Sequence, residues 1–335
     1  MQRVISLFSG CGGFDLGFQK NNFKLVFAND IDKNVKETYE KNLKHKILIE
    51  DIRSIDKSKI PQGDIVIAGI PCQPFSSAGN RNSTKDEDGN LFKEVIDLLV
   101  KQKELPKVVI FENVRGFLSS KDEDGKLLTK RFSIEMEKIG YTTQYQLLNA
   151  SDYGVPSNRY RVFIVCLRID LKKNFTFPTP NIFEEKITVG KVLSKPLPKD
   201  EKIEIWDLSE ATINSIRFIS EGGSWKEIPD EHLSKAHKKI RDNIKRYRSP
   251  NFYRRFSRNE VMGTITATSS PENSGIIHPL ENRRYSVREI ARFQSFKDDF
   301  KFYGSSISAK YKMIGNAVPP LLAEKIAIQV QNLLS

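Results

Sequence analysis

The chemistry-bearing groups of this chain are a cysteine between two prolines, a glutamate ending an apolar run, and two arginines two residues apart. Cys72 lies in GIPCQPFSSAGNR (69–81), directly after DIVIAGI (64–70), a β-branched apolar run of the kind that forms a strand buried on both faces. Pro71 and Pro74 fix φ and remove backbone donors, so the chain leaves that strand at a stiff corner. The usual fate of a free cysteine is burial as an inert thiol. A position at the carboxyl end of a buried strand, where open α/β sheets place their chemistry, favours a nucleophile instead. Glu112 closes KVVIFEN (107–113) and is expected in the same crevice. Arg159 and Arg161 in PSNRYRVFIV (156–165) stand two apart at the start of a strand, hence on one face. The four histidines (His45, His232, His237, His278) lie outside these motifs, which argues against a cysteine-protease arrangement. A thiol, a carboxylate and guanidiniums suit attack on an electron-poor heterocycle better than attack on an amide.

The other strand ends carry groups of a different kind. FSGCGGFDLGF (8–18) follows VISLF, and its glycines permit a tight turn and close approach of a ligand to the backbone. Asp30, next to Ile31, follows the second strand, and Asp51, next to Ile52, follows the third. Each acid alone is more often a cap or a surface charge. Three ligand-like features along one sheet edge suit a nucleoside-bearing cofactor, with carboxylates for ribose hydroxyls and apolar side chains for a flat base.

The elements that must position these groups alternate. VISLF (4–8), KLVFAN (24–29), ILIED (47–51), DIVIAGI, KVVIFEN and RVFIVCLR (161–168) read as strands. NVKETYEKNL (34–43) and LFKEVIDLLV (91–100) read as helices between them. This predicts an α/β fold, a mostly parallel sheet with helices on both faces. From about residue 170 the alternation stops, and proline-rich, irregular sequence leads to two further helices, YSVREIARFQSF (285–296) and PPLLAEKIAIQVQNLL (319–334). The expected domains are a catalytic and cofactor-binding part (1–180), a smaller irregular part (181–304) and a C-terminal segment returning to the first (305–335).

At 335 residues, 39% hydrophobic and 29% charged, the chain has the composition of a soluble globular protein. It has no apolar run long enough for a membrane span, and its start reads as a strand and not a signal peptide. Three dispersed cysteines without CxxC spacing argue against disulfides and a cysteine-built metal site, and for a reducing cytoplasm. The net charge of +12 suits a polyanionic partner. Part of that charge clusters: Lys238, Lys239, Arg241, Lys245, Arg246, Arg248, Arg254 and Arg255 lie between Lys235 and Arg258 against a single acid, Asp242, with Tyr247, Phe252, Tyr253 and Phe256 interleaved. A solvated helix face is the bland reading; a phosphate-binding surface is the sharper one.

Taken together, FSGCGG, PCQPFS, ENV, NRYR, RRYSVREIARFQSF and GNAVPP resemble, in order and over essentially the whole chain, the motifs of bacterial DNA (cytosine-5)-methyltransferases of the restriction-modification type. The resemblance implies a Rossmann-like S-adenosylmethionine-dependent methyltransferase fold with a target-recognition domain. It implies Cys72 as the nucleophile on cytosine carbon-6, Glu112 on the ring nitrogen and amino group, Arg161 near the cytosine carbonyl and Arg159 supporting the backbone. It implies that Phe8, Gly10, Cys11, Gly12, Gly13, Asp30, Ile31, Asp51, Ile52 and Leu91 line the S-adenosylmethionine site, with Asn316 and Ala317 closing it. The implied partner is double-stranded DNA, contacted by Ser76, Lys245, Arg246, Arg248, Arg254 and Arg255, and the implied state is a cytoplasmic monomer with a possible companion restriction endonuclease and no metal. Three positions depart from the family pattern. Ser157 stands where the family usually has glutamine, so a contact supporting the catalytic loop is either lost or water-mediated. Asp30 replaces glutamate, and Lys297 replaces a proline, which should loosen its turn. A tRNA cytosine methyltransferase of the same fold shares every catalytic motif, and a non-catalytic DNA-binding relative is the other alternative.

Overall fold

The computed structural model describes residues 1–71, 91–122, 124–181, 185–198, 202–233, 235–243, 251–269 and 274–335. Two compact units emerge. The first comprises Met1–Tyr153, Tyr160–Asn181 and Ala317–Ser335; the second comprises Gly154–Arg159 and Ile182–Asn316. Compared with the expected division, the short stretch 154–159 and residues 305–316 fall in the second unit, and the return begins at Ala317.

The first unit is built on a sheet of β1 (Arg3–Leu7), β2 (Lys24–Asp30), β3 (Leu48–Ile49), β4 (Ile65–Ala68), β5 (Val108–Val114), β6 (Tyr141–Asn149) and β7 (Tyr160–Arg168), ordered β3-β2-β1-β4-β5-β7-β6. Strands β1 to β5 run parallel, whereas β7 is antiparallel to both of its neighbours. The strand order reverses between β1 and β4, and such a switch point opens a crevice at the carboxyl ends. The apolar runs of β4 and β5 are buried because helices cover both faces. On one face α3 (Leu91–Lys101) and α4 (Leu128–Lys138) pack Val95, Leu98, Leu99, Phe132 and Met136 against Val66, Val109, Phe111, Val162 and Ile164. On the other, Phe14 of α1 (Gly13–Gln19) meets Phe163, the alternate side chain of β7, at 5.9 Å between ring centroids. The C-terminal helix Pro320–Leu334 crosses α1 so closely that a methyl group on Gly17 would stand 2.4 Å from the Glu324 nitrogen. α2 (Val35–Leu43) completes the layer.

The second unit has short helices around a core of Ile216, Ile219, Trp225, Ile228, Leu233, Tyr253 and Ile277. Its helix Val287–Phe293 opens with a reciprocal capping box between Ser286 and Glu289, an arrangement that contributes about 1 kcal/mol. Lys297, where a looser turn was expected, sits in a hydrogen-bonded turn after this helix. Phe300 N–H donates to the Lys297 carbonyl at 3.1 Å, and Arg288 donates to the carbonyls of Lys297 and Phe300 at 3.1 and 2.9 Å.

Candidate active site

The cofactor edge begins where β1 ends. Phe8 adopts φ 54°, a left-handed conformation that costs an aromatic residue of order 1 kcal/mol and turns the chain sharply off the strand. Ser9 N–H donates to the Asn29 carbonyl, Gly12 N–H donates back to Ser9, and Gly12 takes φ 88°. Gly13 is close-packed: a methyl group there would lie 2.2 Å from the Val318 carbonyl oxygen and 3.4 Å from the Ala317 methyl. The glycine turn and Ala317 are therefore neighbours. Asn316 ends the helix Ile307–Asn316 in the second unit and is exposed.

Asp30 stands at the end of β2, where its Oδ2 accepts the Gly10 N–H at 2.7 Å and its Oδ1 accepts the Asp32 N–H at 2.8 Å. Burial raises its pKa above the usual carboxylate range, and these backbone donors oppose the rise. Even one methylene shorter than glutamate, it reaches the turn. Ile31 beside it is 66% exposed, an apolar side chain left uncovered at the crevice. Asp51 is engaged by Arg53, whose backbone N–H donates to Oδ1 at 2.9 Å and whose Nη2 donates to Oδ2 at 2.6 Å. That pairing holds its pKa below the usual range. Arg53 was not anticipated from the sequence, although the i, i+2 spacing of acid and arginine was visible.

Three side chains named for this edge are buried. Ile52 is buried in the core with Ile5 and Ile60, so its side chain belongs to the packing beneath the site. Leu91 likewise packs with Val95 and Leu98. The Cys11 thiol is buried and its pKa is pushed up to about 12, chiefly by desolvation, so what residue 11 offers a ligand is backbone.

The chemistry converges beside β4. Glu112 on β5 is 7% exposed, and its Oε1 lies 2.7 Å from Arg161 Nε on the neighbouring strand. The Nε–H is not aimed along that line, and Oε1 has no hydrogen-bond partner among the described residues. The pair is ionic, with acceptor capacity left over. Arg161 is steadied by a 2.8 Å bond from Nη1 to the Tyr160 carbonyl. Gly69 leaves room here: a methyl group on it would stand 3.5 Å from the Phe8 carbonyl oxygen and 4.0 Å from Glu112 Oε2. The glycine turn, the end of β4 and the carboxylate thus meet in one crevice. Cys72, three residues past Gly69, and Ser76 lie outside the described residues, as do Lys245, Arg246 and Arg248.

Arg161 belongs to the first unit, and the second unit holds Arg159. It is fully buried in the second unit, where Nη1 and Nη2 donate to the carbonyls of Ile265 and Gly315, both at 2.9 Å. Its two terminal nitrogens are thus engaged by carbonyls of that unit. Ser157 donates to the Gly263 carbonyl at 3.0 Å, tying the same segment to residues 262–264. Arg255, expected as a DNA contact, is instead buried and donates to the carbonyls of Ile216, His278 and Glu281 and to Asn282 Oδ1, so it braces the unit. Arg254 pairs with Glu260 and lies 5.0 Å over the Phe256 ring, and Arg258 pairs with Glu221. These acids sit outside the Lys235–Arg258 window, which is why the charge count overstated the free cations.

Asp51→Ala is expected to weaken binding of a nucleoside-bearing cofactor by about 1–2 kcal/mol, the cost of one charged hydrogen-bond acceptor, with no effect on thiol reactivity. Calorimetric titration checks the first part and thiol alkylation the second.

Comparison with known proteins agrees with this geometry. Residues 2–332 match the family model for C-5 cytosine-specific DNA methylase. The Type II methyltransferase M.FnuDI of Fusobacterium nucleatum is 36% identical, over 99% of this chain and 95% of its own length. M.MthTI of Methanothermobacter thermautotrophicus is 37% identical over 98% and 96%. Among solved structures, the Entamoeba histolytica methyltransferase EhMeth superposes with a TM-score of 0.71 at 17% identity, covering 100% of this chain and 99% of that one, a likeness of fold. With the glycine turn, the acid-tipped strands and the Glu112–Arg161 pair in one sheet crevice and the family model spanning nearly every residue, the chain belongs to the C-5 cytosine-specific DNA methylase family.

Proposed function

We propose that this chain methylates carbon-5 of a cytosine flipped out of duplex DNA at a specific short sequence, with Cys72 as covalent nucleophile and Glu112 and Arg161 as its partners. The family catalyses cytosine-5 methylation with S-adenosylmethionine as methyl donor. The observation that carries the residue assignment is the Glu112–Arg161 pair beside Gly69, a buried carboxylate with an open acceptor at the mouth of β4.

The residues present fit the cofactor. The glycine turn exposes backbone, with nothing within 4 Å of a methyl group built on Gly10, and Asp30, Ile31 and Asp51 line the edge with carboxylates and one uncovered apolar surface. Bound there, the cofactor supplies an electrophilic methyl group. The Cys72 thiolate adds to carbon-6, which pushes the ring's electron pair toward carbon-5. Glu112 hydrogen-bonds to or protonates the ring nitrogen as that density builds, and Arg161 holds Glu112 and the adjacent carbonyl oxygen. After carbon-5 is methylated, loss of its proton to a base returns the electron pair and expels the thiolate. Carbon-6 is inaccessible within a stacked duplex, so the base must first leave the helix, at a cost of a few kcal/mol.

Lys245, Arg246 and Arg248 are read as phosphate contacts. Their joint replacement by alanine is expected to flatten the slope of log affinity against log salt by about 0.9 per lost contact and to weaken cognate and scrambled duplexes alike. Arg255→Ala should instead lower thermal stability, since it leaves buried carbonyls without donors. Filter binding across a salt series and a melting curve separate the two.

Among the described residues no helix is long and apolar enough to cross a membrane. We read the protein as a cytoplasmic monomer; a companion endonuclease is consistent with the named relatives. Bisulfite sequencing of DNA from cells expressing the chain tests the function. Protected cytosines within one recurring sequence support it, and complete conversion everywhere overturns it.

A further inference from the structure

Asp15, in the first turn of α1, is fully buried beneath the glycine turn, and no step described above uses it. Its Oδ1 accepts the Tyr39 hydroxyl at 2.7 Å, while Oδ2 accepts no hydrogen bond among the described residues. A buried carboxylate so thinly supported is expensive unless something else draws on its charge. Tyr39 has a second contact. A methyl group on Gly12 would lie 3.0 Å from its ring and 2.6 Å from Leu43, so the ring tethered by Asp15 presses on the left-handed residue of the turn. On the other side Asp30 holds the same turn through the Gly10 N–H. Two carboxylates bracket residues 10–13.

We propose that Asp15 is a positioning residue for the cofactor, fixing the glycine turn through Tyr39 and providing a buried negative charge that favours the sulfonium-bearing S-adenosylmethionine over S-adenosylhomocysteine. The inference rests on the reading that this turn binds the cofactor. Burial pushes the Asp15 pKa up to about 6; the Tyr39 hydroxyl bond opposes that rise, as do the nearby Ser6 side chain and the Asp15 backbone, and Asp30 adds to it. The charged and titratable groups around it are Tyr39 from α2, Asp30 from the end of β2 and Cys11 from the turn. His45 stands edge-on to the Tyr39 ring at 6.4 Å, and Glu324 of the C-terminal helix is paired with Lys20 just past the end of α1. A cationic ligand stabilises the ionised carboxylate and so lowers its pKa on binding. Affinity is therefore full above about pH 6 and falls as pH drops through it, a one-unit shift corresponding to roughly tenfold.

The test is calorimetric binding of S-adenosylmethionine and S-adenosylhomocysteine to the full chain without DNA, between about pH 5 and 8. Wild type should lose roughly tenfold in affinity for the methyl donor across that range, and less for the product. Asp15→Asn keeps an acceptor for Tyr39 but removes the charge. It should flatten the donor's pH profile and narrow the preference for donor over product. Tyr39→Phe strips the carboxylate of its hydrogen bond and should move the fall to higher pH. Equal weakening of both ligands with the pH profile kept would leave Asp15 a purely structural group and overturn the proposal, since the surviving titration would belong to another group, such as Asp30 or His45. Failure of wild type to bind either ligand would overturn the cofactor reading itself.

Discussion

Cys72→Ser is expected to abolish methyl transfer, lowering the rate by about a thousandfold or more, while leaving S-adenosylmethionine affinity nearly unchanged. The hydroxyl is a far weaker nucleophile at neutral pH than the thiol, and no histidine in the motifs stands ready to activate it. In the proposed mechanism the thiol touches cytosine and not the cofactor, so the two effects separate. Incorporation of labelled methyl groups reads the first, and calorimetric titration the second. Residual turnover near the wild-type rate would exclude Cys72 as the nucleophile.

Glu112→Gln carries the second large effect. The carboxylate is nearly buried and lies 2.7 Å from Arg161 Nε, so it is held ready without being saturated by that contact. Glutamine preserves volume but cannot donate a proton to the ring nitrogen, and a positioned general acid contributes about 10²–10⁴ in rate. The expected result is a fall in kcat within that range, with unaltered cofactor affinity. The substitution also leaves the Arg161 charge uncompensated, which is destabilising for a buried pair. A melting curve therefore accompanies the kinetics. Glu112→Asp keeps the charge and withdraws it by one methylene. A loss of rate in Glu112→Asp with normal melting would locate the effect in geometry at the ring, whereas wild-type kcat in Glu112→Gln would exclude the carboxylate from proton transfer.

Much of this site was legible before any coordinates. Strand ends in a doubly wound sheet are marked by apolar runs that stop at glycine, proline or an acid, and that punctuation marked the turn after β1, Asp30, Asp51 and Glu112, whereas Cys72 lies outside the described residues. The strand Tyr141–Asn149 was not legible. It lies at the edge of the sheet, and Thr142, Thr143, Gln144 and Gln146 interrupt any apolar run, so it lacks the signature of a doubly buried strand. Nor does sequence carry the direction of a strand, so the antiparallel setting of β7 was hidden, although Arg161 reaches Glu112 only because that register places it opposite Val114. The two arginines looked equivalent at a spacing of two. Their fates differ because the chain passes between units at Arg159, whose donors are taken up by buried carbonyls. Arg255 misled for a related reason: a cation count along the chain is blind to carbonyl partners and to acids outside the window.

The central claim is a covalent bond between Cys72 and cytosine carbon-6, and trapping tests it most directly. Duplex DNA carrying 5-fluorocytosine at a verified target site is incubated with the enzyme, with and without S-adenosylmethionine, and the products are resolved under denaturing conditions and digested for mass spectrometry. Fluorine cannot leave as a proton does, so after methylation the thiol cannot be expelled. The account predicts a denaturant-resistant adduct that requires the cofactor and maps to the peptide containing Cys72. An adduct on another residue, or none at a site that the enzyme methylates, would contradict it.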